Sequence, residues 1–335
     1  MCPKNPIKYY LRKNETNGFD FDDVPFAKPV AITKLPDFAS VVYARKLGEE
    51  ILDLPIAALP FSAAFANVNR RAIAYTAEEI AARCNVRARK WILSGVEQDR
   101  RVERWWKMHN HREALEAARR AGVILATTPN FSSIIDVPRP DNLHALKRIL
   151  ICWEEIQNAG IAGAIHLNGR TDYDMHRMAE FIRIHKEIDF VACEFLTGTA
   201  KSDCAQSYLG RIKRLVTKVD RPLKLVTRGG IAHLNTLESL FSQVIYLDAA
   251  AFTRTHKRKS ATVLPSGKIK WSHYGTAPGE PLVALLRHNL SRTAAAHAIR
   301  RSGGQLFQVK PERSLPRPKA DPRANDEALQ ASLLS

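Results

Sequence analysis

The 335-residue sequence predicts an α/β fold: a (β/α)8 barrel of the TIM type, with an irregular N-terminal arm and a disordered basic C-terminal tail. Three observations predict it. From about residue 70, short apolar segments alternate with amphipathic helical ones, the pattern of βα units on a parallel sheet. The apolar segments end in small or polar residues, among them Ser94-Gly95, Asn168-Gly169, Gly229-Gly230 and Asp248. Six such strands fall between Trp91 and residue 250, so eight fit within the roughly 250 residues a barrel needs. The doubly wound alternative lacks its marker, because no GxGxxG follows the first strand.

Residues 1–70 read as an arm or a small antiparallel layer. Pro25, Pro29 and Pro36 discourage long helices there, and Asp20-Phe21-Asp22-Asp23 interrupts a basic start. The barrel is expected over residues 71–300. Thr76-Ala77-Glu78-Glu79 is a capping box that opens a helix reaching about Lys90. Trp91-Ile92-Leu93-Ser94-Gly95 follows as a strand, and residues 100–121 as a helix stopped by Gly122. Val123-Ile124-Leu125-Ala126 is the next strand. Helices are then expected at 143–159, 173–186, 204–219 and 234–241, with strands at 161–167, 189–195, 223–227 and 244–247. The two remaining strands are expected one before Trp91 and one near Ile269. Beyond Ala298 periodicity is lost. In residues 301–335, Pro311, Pro316, Pro318 and Pro322 alternate with Lys310, Arg313, Arg317, Lys319 and Arg323, the composition of a disordered tail. Such a tail either solubilises the chain or tethers it to nucleic acid.

Charge narrows the function classes. The chain carries 51 Lys+Arg against 34 Asp+Glu, a net +17, which points to a polyanion such as nucleic acid or to an enzyme with a basic tail. No apolar run approaches the ~18 residues of a membrane span, so no membrane association is expected. Met1-Cys2-Pro3-Lys4 does not open a signal peptide. Cys2, Cys84, Cys152, Cys193 and Cys204 are scattered without a CxxC, which fits a reducing cytoplasm and argues against a zinc finger or a disulfide framework.

Barrel chemistry sits at the C-terminal ends of the strands. There the sequence places Ser94 and Gly95; Thr128, Asn130 and Ser132; His166, Asn168 and Gly169; Cys193 and Glu194; Arg228, Gly229 and Gly230; and Asp248. Glycines in such places let a ligand approach the backbone. Asn130 can both donate to and accept from a base. Glu194 and Asp248 are the two carboxylates of the set. No His/Cys/carboxylate cluster has metal-ligand spacing, so neither a metal nor a cofactor is expected. Asp248 ends Val244-Ile245-Tyr246-Leu247 and precedes Ala249-Ala250-Ala251, which leave room for a substrate. It reads as a nucleophile toward a sugar carbon, or as a loop or N-cap residue. Then comes the densest basic run, Phe252-Thr253-Arg254-Thr255-His256-Lys257-Arg258-Lys259, expected to keep Asp248 ionised. Helical Trp105, Trp106 and Trp153 read as core, with base stacking as the alternative. Asp172 and Asp174 read as helix-start carboxylates.

Asp248-Ala-Ala-Ala-Phe-Thr253-Arg254, then Gly267-Lys-Ile269-Lys-Trp-Ser-His-Tyr274 and Pro278, resembles the queuine-type tRNA-guanine transglycosylases. In that family an Asp closes a barrel strand, followed by Thr-Arg, a basic stretch, a Gly-x-Ile-x hairpin, a Tyr and a Pro. Leu93-Ser94-Gly95, Asn168-Gly169, Thr197-Gly198 and Gly229-Gly230 fall in compatible order, so the resemblance spans about residues 91–280 and is specific between 248 and 278.

The resemblance implies that Asp248 attacks C1′ of a guanosine nucleotide and expels guanine, and that a 7-deazaguanine base then displaces the Asp. The target base must be flipped out of its stack. Asn168, Gly169 and backbone amides would hold the base edge, and Arg254 and Lys257, with Arg258 and Lys259 beside them, would contact phosphates. The family's zinc cysteines are absent after Pro278, and Leu93 replaces its second Asp. Glu194, Asp99 and Asp136 are the candidates for that acid/base role. In these respects the chain is similar to DNA-guanine transglycosylases, which makes DNA the expected partner, tRNA the alternative, and a homodimer an open possibility. A non-catalytic nucleic-acid-binding protein on a barrel scaffold, and a barrel glycosidase or lyase acting on a small sugar-like substrate, are the competing readings.

Overall fold

A computed structural model describes residues 6–32, 35–134, 137–196, 202–277 and 279–302. The features expected at Asp136, Thr197-Gly198, Pro278 and Pro311 to Arg323 lie outside the described residues.

Among the described residues twelve strands and eleven α-helices follow one another. They are α1 (Pro6–Glu15), β1 (Phe38–Ser40), β2 (Leu52–Pro60), α2 (Phe61–Ala64), β3 (Phe65–Val68), β4 (Arg71–Ala74), α3 (Ala77–Cys84), β5 (Val86–Ser94), α4 (Asp99–Trp106), α5 (His111–Arg120), β6 (Val123–Thr127) and α6 (Arg139–Asn158). There follow β7 (Ala162–His166), α7 (Asp172–Ile184), β8 (Phe190–Phe195), α8 (Ser202–Val219), β9 (Lys224–Gly229), α9 (Leu234–Leu240), β10 (Gln243–Asp248), α10 (Ala250–His256), β11 (Lys259–Val263), β12 (Ile269–His273) and α11 (Val283–Arg301).

Eight strands pair in parallel in the order β1-β10-β9-β8-β7-β6-β5-β2. A bridge from Val41 to Ala58 joins the two edges, with the Val42 N–H donating to the Ala58 carbonyl at 2.8 Å. The result is the expected barrel, nearly closed. Its interior is filled by one face of each strand: Ala39, Ala58, Ala162, Ala164 and Ala192 alternate with Ile92, Leu125, Phe190, Ile245 and Leu247. Small residues opposite large ones let the layers interlock in a packed core. The other face meets the helices. Trp91, Trp105 and Trp153 all lie in that outer layer, at most 3% exposed.

Two strand positions differ from expectation. Residues 38–60, read as part of an arm, supply β1 and β2 of the barrel. The strand at Ile269 lies outside the barrel. It pairs antiparallel with β11, because Gly267, at φ 72°, turns the chain back on itself. Helix boundaries shift too. The helix expected to reach Lys90 stops at Cys84, since Asn85 adopts the left-handed conformation. The Asn85 amide then ties down the loop before β2, accepting from the Leu47 N–H at 2.6 Å and donating to the Gly48 and Glu50 carbonyls at 2.8 Å. The helix expected over 100–121 is two helices, because the backbone at His109 pairs with Arg70 and Ala72 of the β3–β4 hairpin. Thr171, rather than Asp172, caps α7, with Asp174 completing the capping box.

The N-terminal segment lies along α6 and α7. His144 of α6 contacts Glu15 at 2.8 Å, and Lys147, 1% exposed, pairs with Asp23 and the Asp20 carbonyl. Among the described residues no helix is long and apolar enough to cross a membrane.

Candidate functional site

Alternation along a strand turns every second side chain inward. At the C-terminal ends the inward positions are Ser94, Thr127, His166, Glu194 and Arg228, each two places beyond an interior residue: Ile92, Leu125, Ala164, Ala192 and Val226. Above them opens a cavity of about 850 Å³. Asn130, Asn168, Gly169 and Glu194 line it, together with His166, Glu97 and Asp99. The guanidinium groups of Arg101, Arg170, Arg211 and Arg228 complete its wall.

The polar side chains hold one another in place. Asn168 Nδ2 donates to Asn130 Oδ1 at 3.0 Å and to the Phe131 carbonyl at 2.5 Å, and Asn130 Nδ2 donates to Glu194 Oε2 at 2.7 Å. Among the described residues no donor reaches Asn168 Oδ1. His166 Nδ1 lies 2.7 Å from the Thr128 carbonyl, so Nδ1 carries the proton and Nε2 the lone pair. Burial pushes the His166 pKa down to about 4, and the ring is neutral at pH 7. Asp99 accepts from Ser132 Oγ at 2.6 Å. Glu97 accepts from the Ser62 N–H at 3.0 Å and from its hydroxyl, 3.5 Å from Arg101. Arg228 reaches across the mouth to the Val96 carbonyl at 2.6 Å and to the Tyr43 hydroxyl. Arg170 donates to the Ser133 carbonyl at 2.6 Å, and Arg211 to the Arg170 carbonyl at 2.8 Å. Carbonyl and hydroxyl partners hold Arg170, Arg211 and Arg228 without cancelling their charge, whereas Arg101 is paired with Glu97, and Asp99 and Glu194 add negative charge to the same wall.

The other expected residues lie around this cavity rather than in its wall. Ser94 is fully buried beneath it, its Oγ without a hydrogen-bond partner among the described residues. Gly95 makes room for protein, not ligand: a Cβ there would overlap the Thr128 carbonyl. At Gly229 and Gly230 the neighbouring space is likewise taken by Phe195, and both have positive φ, 77° and 70°.

Asp248 does not line the cavity. It shares the outward parity of Val244 and Tyr246, at the last position of β10. Its Oδ1 accepts from the Ala250 N–H at 2.7 Å, and its Oδ2 has no hydrogen-bond partner among the described residues. The basic run does not govern its ionisation. Burial raises its pKa, opposed by the Ala250 N–H and by the charges of Arg300 and Arg228. Arg254 lies over the Trp271 ring at 5.8 Å, Arg258 forms a left-handed turn at φ 51°, and Lys259 opens β11. Lys257 lines a second, adjoining cavity.

Comparison with protein-family models and with curated proteins finds no match to this chain. The geometry is therefore the guide to function. Among the described residues no group of three or more His, Cys, Asp or Glu side chains could hold a metal ion.

Glu97, Arg101, Arg170 and Arg211 were not picked out by sequence reasoning. They sit in loops and helices that follow the strands, Arg211 well inside α8, where nothing but the fold brings them to the mouth. His166 and Arg228 had a usable signal, as inward positions at strand ends.

His166 also makes stability depend on pH. The unfolded chain takes up this proton near 6.5 and the folded chain near 4, so the contribution is complete above about pH 6.5 and is lost as the pH falls toward 4. Urea unfolding should show about 2 kcal/mol less stability from this residue at pH 5 than at pH 7.5. A His166→Asn variant should lose that part of the slope. An unchanged slope would contradict the assignment of a neutral buried ring.

Proposed function

We propose that this protein is a nucleobase transglycosylase that exchanges guanine for a 7-deazaguanine in DNA, with tRNA the less favoured substrate. The observation that carries the reading is the acceptor-rich wall of the mouth cavity. Asn168 Oδ1 and His166 Nε2 present lone pairs to the cavity, and the Watson–Crick edge of guanine presents N1–H and N2–H₂ donors. A cavity of about 850 Å³ has room for a flipped base with its sugar. Arginines at the rim suit the flanking phosphates. The similarity of residues 248–278 to transglycosylases adds Asp248, at the end of β10, as the nucleophile.

In this reading the base descends into the cavity and the sugar stays at the rim, over the edge formed by β9 and β10. An Asp248 oxygen forms a bond to C1′ as the C1′–N9 bond breaks. Guanine leaves with a proton from Glu194. The incoming 7-deazaguanine returns a proton to Glu194 as its N9 attacks C1′, and Asp248 departs as a carboxylate. Ionised Asp248 is required, so its burial-raised pKa makes the first step slow in acid.

Labelled guanine tests this. It should enter guanine-containing DNA in the presence of the protein and be displaced by 7-deazaguanine bases. The position of Asp248 outside the cavity wall favours one second reading, a nucleic-acid-binding protein without exchange activity. Tight DNA binding with no incorporation of label would establish that reading and end the first.

A further inference from the structure

A second cavity, of about 630 Å³, adjoins the first and shares Tyr43, Glu97 and Arg101 with it. Five arginines and a lysine line it: Arg45, Arg83, Arg100, Arg101, Arg104 and Lys257. Glu97 is the one carboxylate on that lining among the described residues. Its side chain is 5% exposed and is already engaged by Ser62 and Arg101. Arg45, Arg100, Arg104 and Lys257 have no ion-pair partner among the described residues, whereas elsewhere on the surface arginines such as Arg112, Arg183 and Arg214 are paired. Four uncompensated cations around one concavity repel each other, and such an arrangement is stabilised by an anion that bridges them. His256, also on the lining, reports this field. Its pKa is lowered by burial and by the neighbouring charges of Arg45, Arg258 and Lys257.

The clustering comes from the fold, not from a run in sequence. Arg100 and Arg104 lie one turn apart on α4, Arg45 follows β1, and Lys257 follows α10. Phe61, Phe65 and Trp105 add buried aromatic surface to the same lining.

We propose that this second cavity is a phosphodiester subsite that holds the single-stranded DNA backbone next to the nucleotide in the first cavity. The assignment rests on the reading of the first cavity as a base site. The shared wall at Tyr43 and Arg101 sets the path of the strand, from the base pocket across the rim and over Arg100, Arg104 and Lys257.

The test uses a short oligothymidylate, which contains no guanine and therefore reports backbone binding independently of base exchange. Affinity is measured by fluorescence anisotropy over a range of salt concentrations. Arg100→Ala/Arg104→Ala/Lys257→Ala should weaken binding at least tenfold and flatten the dependence of log K on log salt by about 2, since each single-strand phosphate contact contributes about 0.7 to that slope. Arg89→Ala/Lys90→Ala, at the opposite end of the barrel, should leave the slope unchanged. Equal effects of the two variants would overturn the subsite, as would oligothymidylate binding without salt dependence. Tighter binding of oligouridylate than oligothymidylate would overturn the assignment to DNA. If labelled guanine fails to exchange while the slope difference stands, the base-exchange reading falls and the phosphate site does not.

Discussion

Asp248→Asn should reduce base exchange by about three to four orders of magnitude, the scale of removing a covalent nucleophile. Asn is the informative substitution. The Asp248 carboxylate accepts from the Ala250 N–H at 2.7 Å, and an amide oxygen can keep that bond. An alanine would also remove this local hydrogen bond, at a cost of about 1 kcal/mol, and would confuse a stability loss with a chemical one. The expected outcome is therefore an inactive variant with an unchanged unfolding midpoint and unchanged affinity for oligothymidylate. Glu194→Gln should behave differently. It loses the proton donor and, with its remaining oxygen held by Asn130, turns an amide N–H₂ toward the cavity, so KM should rise as kcat falls, while Asp248→Asn should change kcat alone. An Asp248→Asn enzyme with near-normal exchange would move the nucleophile elsewhere.

Gly95→Ala should be the most damaging single change near the site. A Cβ at this position would overlap the Thr128 carbonyl and lie 2.8 Å from Pro129 Cα. These are backbone atoms of a buried loop and cannot swing aside as a side chain would. Gly95 also donates to Thr127 Oγ1 at 2.8 Å, and its carbonyl accepts from Asn130 N at 3.0 Å. Pushing the two strand-end loops apart therefore displaces Asn130, and with it the relay to Glu194. A loss of about 3 kcal/mol is expected, at the upper end of overpacking costs, together with loss of guanine binding. Ser94→Ala, one residue earlier, should be mild, because its buried hydroxyl has no hydrogen-bond partner among the described residues to lose. A Gly95→Ala variant as stable as the parent would mean that the loops accommodate the methyl group.

The difference between what the sequence announces and what only the fold reveals has physical causes. From Trp91 to Asp248 the strands are apolar on both faces, because interior and helix layer both bury them, and each one stands out as a short hydrophobic block. β2 does not. Its first half, Leu52-Asp53-Leu54-Pro55, carries an exposed Asp and a proline. A proline survives there because on one side β2 meets β1 through little more than the Val41–Ala58 bridge, so a missing N–H costs less than in a fully paired strand. β1 is three residues long and gives no periodicity to detect. One strand before Trp91 is expected from the count and two are found; the eighth is expected instead at Ile269, where Ile269-Lys270-Trp271-Ser272-His273 alternates as a strand does.

The candidate site divides the same way. Asn130, Asn168, Gly169 and Glu194 converge as their strand-end positions foretell. The glycines were misread. At Gly95, Gly229 and Gly230 the open space accommodates the protein's own backbone and the Phe195 ring rather than a ligand. The positive charge was also only partly located by the sequence. The run from Arg254 to Lys259 is dense in sequence but dispersed in space, and Lys257 alone of its lysines and arginines lines either cavity beside the mouth. The arginines at the mouth and in the second cavity come from α3, α4, α8, β9 and the loops, and no local stretch foretells that they meet.

The central claim, that Asp248 carries the sugar during exchange, is tested most directly by mass spectrometry of the denatured protein after incubation with guanine-containing DNA. The account predicts a strand linked through C1′ to the peptide containing Asp248, absent from Asp248→Asn and discharged by added 7-deazaguanine. Exchange that proceeds with no adduct, or with the strand attached at Glu194, would contradict it.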